Sequence, residues 1–227
     1  MTIHILVEGP SERAFIEPWA ARLLKNHPVK VHPHEGKGKL PQDPSVPPAR
    51  HHRGLLHQLP AKLRAFADAL NPDADSVLIL VDADNEHCVD LTTQLRDIAT
   101  TFSPGLRVVV RIAVEETEAF YLGDLKAVQK AFPDADMASA REYVPDSICS
   151  TWEFFGRVVR DGGGNKVAWA EAIGPHLTTN PAKSRSLSFR ALCRGLLRLA
   201  TSGPSKERPK KKYRHIARSE RVGKKGG

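Results

Sequence analysis

The chain has 227 residues, of which 41% are hydrophobic, and it carries a formal net charge of +8 at pH 7. This length suits one α/β domain with an appendage, or two small domains, and the composition allows a proper hydrophobic core. No run of eighteen apolar residues is present, so no membrane-spanning helix is expected.

The positive charge is confined to the C-terminal tail. Residues 203–227 hold ten Lys or Arg and two Glu, so the rest of the chain is neutral overall. With almost no apolar residues, this tail is expected to be disordered when alone. The tail could attract the phosphate backbone of DNA or RNA without recognising the base sequence. The alternative is that the tail only makes the protein more soluble.

The N-terminus and the cysteines favour a cytoplasmic protein. The first residues, MTIHILVEG, run into an apolar strand pattern without a charged leader or a cleavage site. The three cysteines fit no disulfide or metal-ligand spacing, which is typical of a reducing compartment; they are Cys88, Cys149 and Cys193.

The first elements in chain order are a strand and a helix. Residues 3–9 predict a buried strand that ends near Glu8. The helix that follows has Ser11 as a plausible N-cap, and Pro18 is expected to kink or restart it. Residues 28–32 predict a weak second strand.

A long insertion comes next. Residues 33–53 are rich in Pro, Gly, Lys and His, and long loops of this kind tend to be functional or disordered. A structured transition-metal site is not expected at its histidines, because they have no defined ligand spacing. A helix follows the insertion despite Pro60.

The most apolar run, residues 77–81, is followed directly by Asp82 and Asp84. Its length and β-branched residues predict a strand buried on both faces. If the strand geometry persists for two more residues, both carboxylates project to one side, where they repel each other and lose hydration. A divalent cation would relieve both effects, whereas a turn with a helix cap is the simpler alternative.

The alternation of strands and helices predicts an α/β fold with a mostly parallel sheet between helices. Residues 106–114 predict another strong strand, and Glu116 and Glu118 follow it. Because ligands bind beyond the carboxyl ends of parallel strands, these glutamates, Glu8 and the two aspartates should share one rim. The helix dipole alone could also explain the glutamates.

We predict three regions along the chain. Residues 1–135 form the α/β domain, with the insertion at 33–53. Residues 136–202 form a helical C-terminal extension packed on that domain, and residues 203–227 form the basic tail.

Five short segments carry a resemblance to a known family. ILVEGPSE resembles the opening of a Toprim domain, and VDAD resembles its later Asp-x-Asp. Together with GKGKL, EAFYLGD and KSRSLSF, they resemble a bacterial Toprim-like family, domain of unknown function 4276. That family is related to the nuclease domain of overcoming-lysogenization-defect proteins. Phe120 stands where the family commonly has tryptophan, and the resemblance covers residues 3–199.

The resemblance implies Mg²⁺-dependent or Mn²⁺-dependent phosphodiester cleavage. It also implies a role in bacterial defence together with an ATPase partner. Carboxylate oxygens are ligands that Mg²⁺ prefers, and phosphodiester cleavage needs cations to neutralise developing charge. The chemistry of the residues therefore agrees with the resemblance, although fold alone does not fix function.

The candidate site residues follow from this chemistry. Asp82 and Asp84 would bind the main cation, and Glu118 with Glu116 could complete a second metal site. Glu8 would act as a ligand or as the general acid/base. Lys166 and Arg185 are candidates to clamp phosphate, with Lys166 counted among the catalytic groups. The candidates for contact with DNA or RNA are Lys37, Lys39, Arg185, Lys210, Lys211 and Lys212.

Two other functions remain open at this stage. The first is a non-catalytic Toprim-like binding module, or a nucleic-acid-binding subunit of an ATPase complex. The second is an RNA-binding protein that works mainly through its basic tail. A nucleotide-binding P-loop is not expected, because GKGK lacks the required spacing of Gly, Lys and Ser or Thr.

Overall fold

A four-stranded, all-parallel sheet forms the centre of the fold. The computed structural model describes residues 1–147, 150–161 and 164–201. The strand order is β2-β1-β3-β4, so the predicted α/β fold with a parallel sheet is confirmed and is consistent with a Rossmann-like architecture. The strands are β1 (Thr2–Val7), β2 (Val29–Pro33), β3 (Asp75–Asp82) and β4 (Arg107–Ala113).

Helices connect the strands and make up most of the C-terminal region. Two short 3₁₀ turns, Gly174–His176 and Pro181–Lys183, lie between the last two helices. The helices are α1 (Pro10–Leu23), α2 (Leu55–Ala69), α3 (Cys88–Phe102), α4 (Glu118–Leu122), α5 (Leu125–Ala131), α6 (Met137–Glu142), α7 (Thr151–Val158), α8 (Lys166–Ile173) and α9 (Leu187–Thr201).

Both faces of the sheet are buried, as the apolar run in β3 predicts. Successive side chains of a strand point to opposite faces, so Leu78 and Leu80 join the core with α1 and the C-terminal helices. Val77, Ile79 and Val81 join the core with α2 and α3. Helices therefore cover β3 on both faces of the sheet.

The C-terminal helices pack on α1 and on β4. The Trp19 ring lies 5.0 Å from the Phe189 ring, and its Nε1 donates to the carbonyl of Thr178 at 2.9 Å. A Cβ on Gly174 would lie 2.8 Å from the Cα of Phe15, so the two segments meet backbone to backbone. The domain boundary at residue 135 stays a prediction, since one hydrophobic core spans both regions.

Helix α1 begins earlier than predicted and does not restart at Pro18. It continues through the proline because the burial of Phe15 and Trp19 on both sides of it offsets the lost hydrogen bond. Its N-cap is Gly9 rather than Ser11, and Pro10 occupies a first-turn position that needs no N–H donor.

Asp124 separates α4 from α5. Its Oδ1 accepts from the N–H of Ala127 at 3.1 Å, so it caps α5. A Cβ on Gly123 would lie 2.8 Å from the Ser184 Oγ, and Arg185 N–H donates to the Gly123 carbonyl at 2.8 Å. EAFYLGD and KSRSLSF are thus in direct contact.

The carboxylate of Asp146 caps helix α9 from a distant part of the sequence. It accepts from the Ser188 Oγ at 2.6 Å and from the Ser188 N–H at 3.1 Å. It also accepts from the Ser186 Oγ at 2.9 Å and from the Leu187 N–H at 2.5 Å. Four donors at the start of α9 therefore depend on one side chain.

Asp146→Ala will lower the free energy of unfolding by about 2 kcal/mol, because it removes a helix cap and leaves buried hydroxyl groups without their acceptor. Urea denaturation of both proteins measures this difference. Asp134→Ala, which removes an exposed aspartate, serves as the control. Equal stability of Asp146→Ala and the control would contradict the capping role.

Candidate functional site

The site lies where the chain reverses its direction of winding. From β1 the sheet extends to β2 on one side and through β3 to β4 on the other. The crevice beyond adjacent strands at such a switch point is the usual ligand site of an open α/β sheet. Glu8 follows β1 and Asp82 ends β3, and the Glu8 Oε1 accepts from the Asp82 N–H at 2.8 Å.

Two further glutamates join this crevice from helix starts. Glu12 lies in the first turn of α1 and is 7% exposed, and Glu118 opens α4 and is 2% exposed. The Glu12 Oε1 accepts from the Ser11 Oγ at 2.9 Å and from the Thr117 Oγ at 3.4 Å. A Cβ on Gly9 would lie 3.3 Å from the Glu12 Oε2, so glycine leaves room for this carboxylate.

Burial and mutual repulsion shift the protonation of these groups. Burial, followed by the charges of Glu12 and Asp84, raises the pKa of Glu8 to about 8 against an opposing hydrogen bond from Asp82. Burial likewise raises the pKa of Glu118 to about 7. The pKa of Asp82 is raised well above its ordinary value, by burial first and then by Glu8. The crevice therefore concentrates carboxyl groups that resist ionisation.

Lys37 lies at the outer side of the crevice. Its Nζ is 2.9 Å from the Asp84 Oδ2, 2.7 Å from the Glu86 Oε1 and 3.2 Å from the Ala83 carbonyl. Burial disfavours its charge, but the hydrogen bonds with Glu86 and Asp84 raise its pKa. This lysine therefore neutralises acidic groups of the same chain.

The GKGKL segment is the support for Lys37. The Gly36 N–H donates to the Glu8 carbonyl at 2.8 Å. Gly38 has φ +68°, and a Cβ there would lie 2.5 Å from the His57 Nδ1, so only glycine fits. Lys39 is exposed, and its contact with nucleic acid stays a prediction.

Lys166 lies beside the two glutamates that follow β4. Its Nζ is 3.8 Å from the Glu116 Oε1 and 3.7 Å from the Glu118 Oε1. The Glu118 Oε2 is buried and has no hydrogen-bond partner. The Glu116 Oε2 accepts from the Trp152 N–H at 2.8 Å, and burial raises the pKa of Glu116. Lys166 thus lies beside Glu116 and Glu118, and its role as a phosphate clamp stays a prediction.

A family model described as Domain of unknown function (DUF4276) matches residues 7–197. The chain belongs to this family. No curated protein and no solved structure matches the chain. The matched DUF4276 region contains the whole acidic crevice, and it ends before the basic tail at 203–227.

Asp84 departs from the geometry expected for the DUF4276 Asp-x-Asp segment. The expectation that strand geometry persists to Asp84 is wrong, because β3 ends at Asp82 and Asp84 has φ +49°. The N–H of Ala83 donates to the Ala113 carbonyl at 2.9 Å and that of Asp84 to the Glu115 carbonyl at 3.1 Å, which turns the chain. The Asp84 charge still raises the pKa of Glu8, so both lie at one rim.

Glu115 connects this rim of the DUF4276 domain to the C-terminal helices. It has φ +74° and is 5% exposed. Its Oε2 accepts from the Tyr143 hydroxyl at 2.9 Å and from the Thr151 Oγ at 2.6 Å. Because Glu116 binds the neighbouring Trp152 amide, helix α7 fixes the direction of the segment that leads to Glu118.

Arg185 is engaged with main-chain carbonyls at the end of α6. Its guanidinium donates to the carbonyls of Ala140 and Arg141 at 3.2 Å each and to that of Tyr143. Its contact with phosphate stays a prediction. Three further nucleic-acid candidates lie outside the described residues: Lys210, Lys211 and Lys212.

Sequence reasoning missed Glu12 as a member of the DUF4276 site. The signal was present, since Glu12 is the second glutamate of the ILVEGPSE segment. Within residues 1–147, 150–161 and 164–201, no group of three or more His, Cys, Asp or Glu side chains is already arranged to hold a metal ion. None of the helices in those ranges is long and apolar enough to cross a membrane.

Proposed function

We propose that this DUF4276 protein is a Mg²⁺-dependent phosphodiesterase of the Toprim nuclease type. The observation that carries the proposal is the convergence of Glu8, Glu12, Asp82 and Glu118 at the switch point between β1 and β3. Carboxylates held together at this cost in repulsion and hydration are typical of a cation site.

The donor set fits Mg²⁺ or Mn²⁺. All the donors are carboxylate oxygens, which these hard cations prefer, and the buried Glu118 Oε2 lacks a hydrogen-bond partner. Asp82 and Asp84 would hold the main cation, and Glu118 with Glu116 would hold a second one. When bound, the cation would neutralise charge on the phosphate and activate water.

The protein groups would supply proton transfer and charge. Glu8, whose pKa is about 8, can carry a proton near neutral pH, which suits a general acid or base. Lys166 provides a cation beside the acidic rim, where a phosphate oxygen could replace Glu116 as its partner. Lys37 could act in the same way at the outer side.

The wider biological role rests on the resemblance of the five sequence segments. Their Toprim-like order supports a relation to the nuclease domain of overcoming-lysogenization-defect proteins. We therefore propose DNA or RNA as the substrate and an ATPase as the partner. Cytoplasmic defence against phage or plasmids would be the setting.

Calorimetric titration with Mg²⁺ or Mn²⁺ tests the metal site. Wild-type protein will bind the cation, and Asp82→Asn will weaken binding by about tenfold or more because it removes a charged ligand. Asp97→Asn, an exposed aspartate of α3, will bind like wild type. Equal affinities in wild type and Asp82→Asn would rule out Asp82 as a ligand.

A non-catalytic binding module is the second candidate. Lys37 and Lys166 already neutralise part of the acidic rim from within the chain, so the fold could retain these carboxylates without a cation. Under this alternative, the protein would bind nucleic acid or an ATPase partner but would not cleave DNA or RNA with added Mg²⁺ or Mn²⁺.

A further inference from the structure

Strand β4 forms an edge of the sheet. It pairs with β3 on one side, and no other strand among the described residues pairs with its second side. The Ala113 carbonyl faces β3, where it accepts from the Ala83 N–H. Because the direction alternates along a strand in a parallel sheet, the main-chain groups of Val108, Val110 and Ile112 point outward. An open edge of this kind is a template for another strand.

A basic groove runs along this edge. It has a volume of about 560 Å³ and lies between α3 and α9, with Arg96, Arg111 and Arg198 among its lining residues. Arg96 and Arg198 are exposed. The Arg111 Nε donates to the Ala191 carbonyl at 2.7 Å, and its Nη1 donates to the outward Val110 carbonyl at 2.7 Å. Its pKa is lowered by burial and then by Arg96, Arg198 and Arg194, so these cations lie close enough to repel one another.

We propose that the β4 edge binds an acidic, extended segment of a partner protein as an additional strand. The partner's main chain would pair with the outward groups of Val108 and with the N–H of Val110, whose carbonyl already accepts from the Arg111 Nη1. Its Asp or Glu side chains would meet Arg96 and Arg198. Main-chain pairing supplies affinity in this mode of recognition, and the side chains supply specificity. The site is separate from the acidic rim and does not depend on the proposed phosphodiesterase activity.

Other occupants fit the groove less well. A second copy paired through β4 would bring two sets of arginines together, and the chain's own tail carries ten basic and two acidic residues. The phosphates of nucleic acid would match the positive charge of the groove, but nucleic acid cannot pair with the N–H and carbonyl groups of β4 as a strand does. An acidic peptide matches the charge and can also pair with the strand.

Fluorescence anisotropy with full-length protein tests the proposal. The first probe is a labelled peptide of four Val-Glu repeats. The second probe is the same peptide with N-methylated valines, which has the same charge. The first peptide will bind, and N-methylation will weaken binding by about tenfold because it removes main-chain donors. Any attraction to the basic tail is equal for the two peptides, so their difference reports strand pairing.

Variants of the groove give a second comparison. Arg96→Glu combined with Arg198→Glu will weaken binding by about tenfold or more, whereas Lys126→Glu on the exposed side of α5 will not. Val108→Pro will also weaken binding at unchanged protein charge, because it removes an outward N–H at an edge where proline is tolerated.

Several results would overturn the proposal. They are a failure of wild-type protein to bind the first peptide, and equal binding of the two peptides. Displacement of the peptide by an equal concentration of a short single-stranded oligonucleotide would instead indicate a nucleic-acid site. A dimer in sedimentation that the arginine variants abolish would indicate a second copy.

Discussion

Raising the pH from 6.5 to 8.5 will lower the free energy of unfolding of the metal-free protein. Glu8 has a pKa of about 8 and Glu118 of about 7, against an ordinary value of 4.5. In this window the folded state therefore holds protons that the unfolded state has lost, so stability falls as the pH rises. For Glu8 alone the expected loss is on the order of 2 kcal/mol, since one pKa unit corresponds to about 1.4 kcal/mol.

Three histidines set the lower limit of the pH range in which this fall in stability is expected. Burial lowers the pKa of His32 to about 4, and burial also lowers those of His4 and His34. These groups must be neutral in the fold, so they raise stability with pH up to their unfolded value near 6.5. About one pH unit above that value the unfolded histidines are almost all neutral, and the carboxyl groups then act without this opposing effect.

Urea denaturation across a pH series, with and without Mg²⁺, measures the effect. Glu118→Gln will flatten the decline because its amide cannot ionise, and the exposed control Glu171→Gln will not. Under the proposed function, Mg²⁺ will restore stability most strongly at pH 8.5. A metal-free stability that rises from pH 6.5 to 8.5 would contradict the raised pKa values.

Glu8→Gln will reduce metal-dependent cleavage of nucleic acid by about 10²–10⁴-fold, the range typical for loss of a general acid or base. The amide keeps the size of the side chain and can still accept a hydrogen bond from the Asp82 N–H. The fold should therefore persist. Labelled single-stranded DNA, duplex DNA and RNA, each with Mg²⁺ or Mn²⁺, are the substrates for the assay.

The matched control for this loss is again Glu171→Gln, which should cleave like wild type. Circular dichroism of Glu8→Gln checks that the fold is intact. If wild-type protein cleaves a substrate and Glu8→Gln retains full activity with unchanged pH dependence, Glu8 is not the acid or base. A failure of wild-type protein to cleave any substrate would favour the non-catalytic module.

Most of the sheet could be predicted from the sequence because β1, β3 and β4 are short, mainly apolar runs, whereas β2 gave only a weak signal. The common rim of Glu8 and Asp82 followed from the parallel arrangement alone, which places strand ends together. Both inferences depend on patterns within a few neighbouring residues.

The contacts that complete the site depend on distant residues instead. Lys37 meets Asp84 across 47 positions, and no local pattern indicates which carboxylate a lysine in a glycine-rich loop will reach. The capping of α9 by Asp146 is of the same kind. At Pro18, the local rule for proline was overridden by the buried residues on either side of it.

The anchoring of the rim by α7 has a consequence for protein synthesis. A nascent chain presents Glu8 and Asp82 long before it presents Thr151 and Trp152, which hold Glu115 and Glu116 in place. Lys166, which lies beside Glu118, emerges later still. A ribosome-bound or prematurely terminated fragment that lacks α7 and α8 would therefore have an unfinished acidic crevice, and the proposed nuclease would become competent only after both helices have emerged.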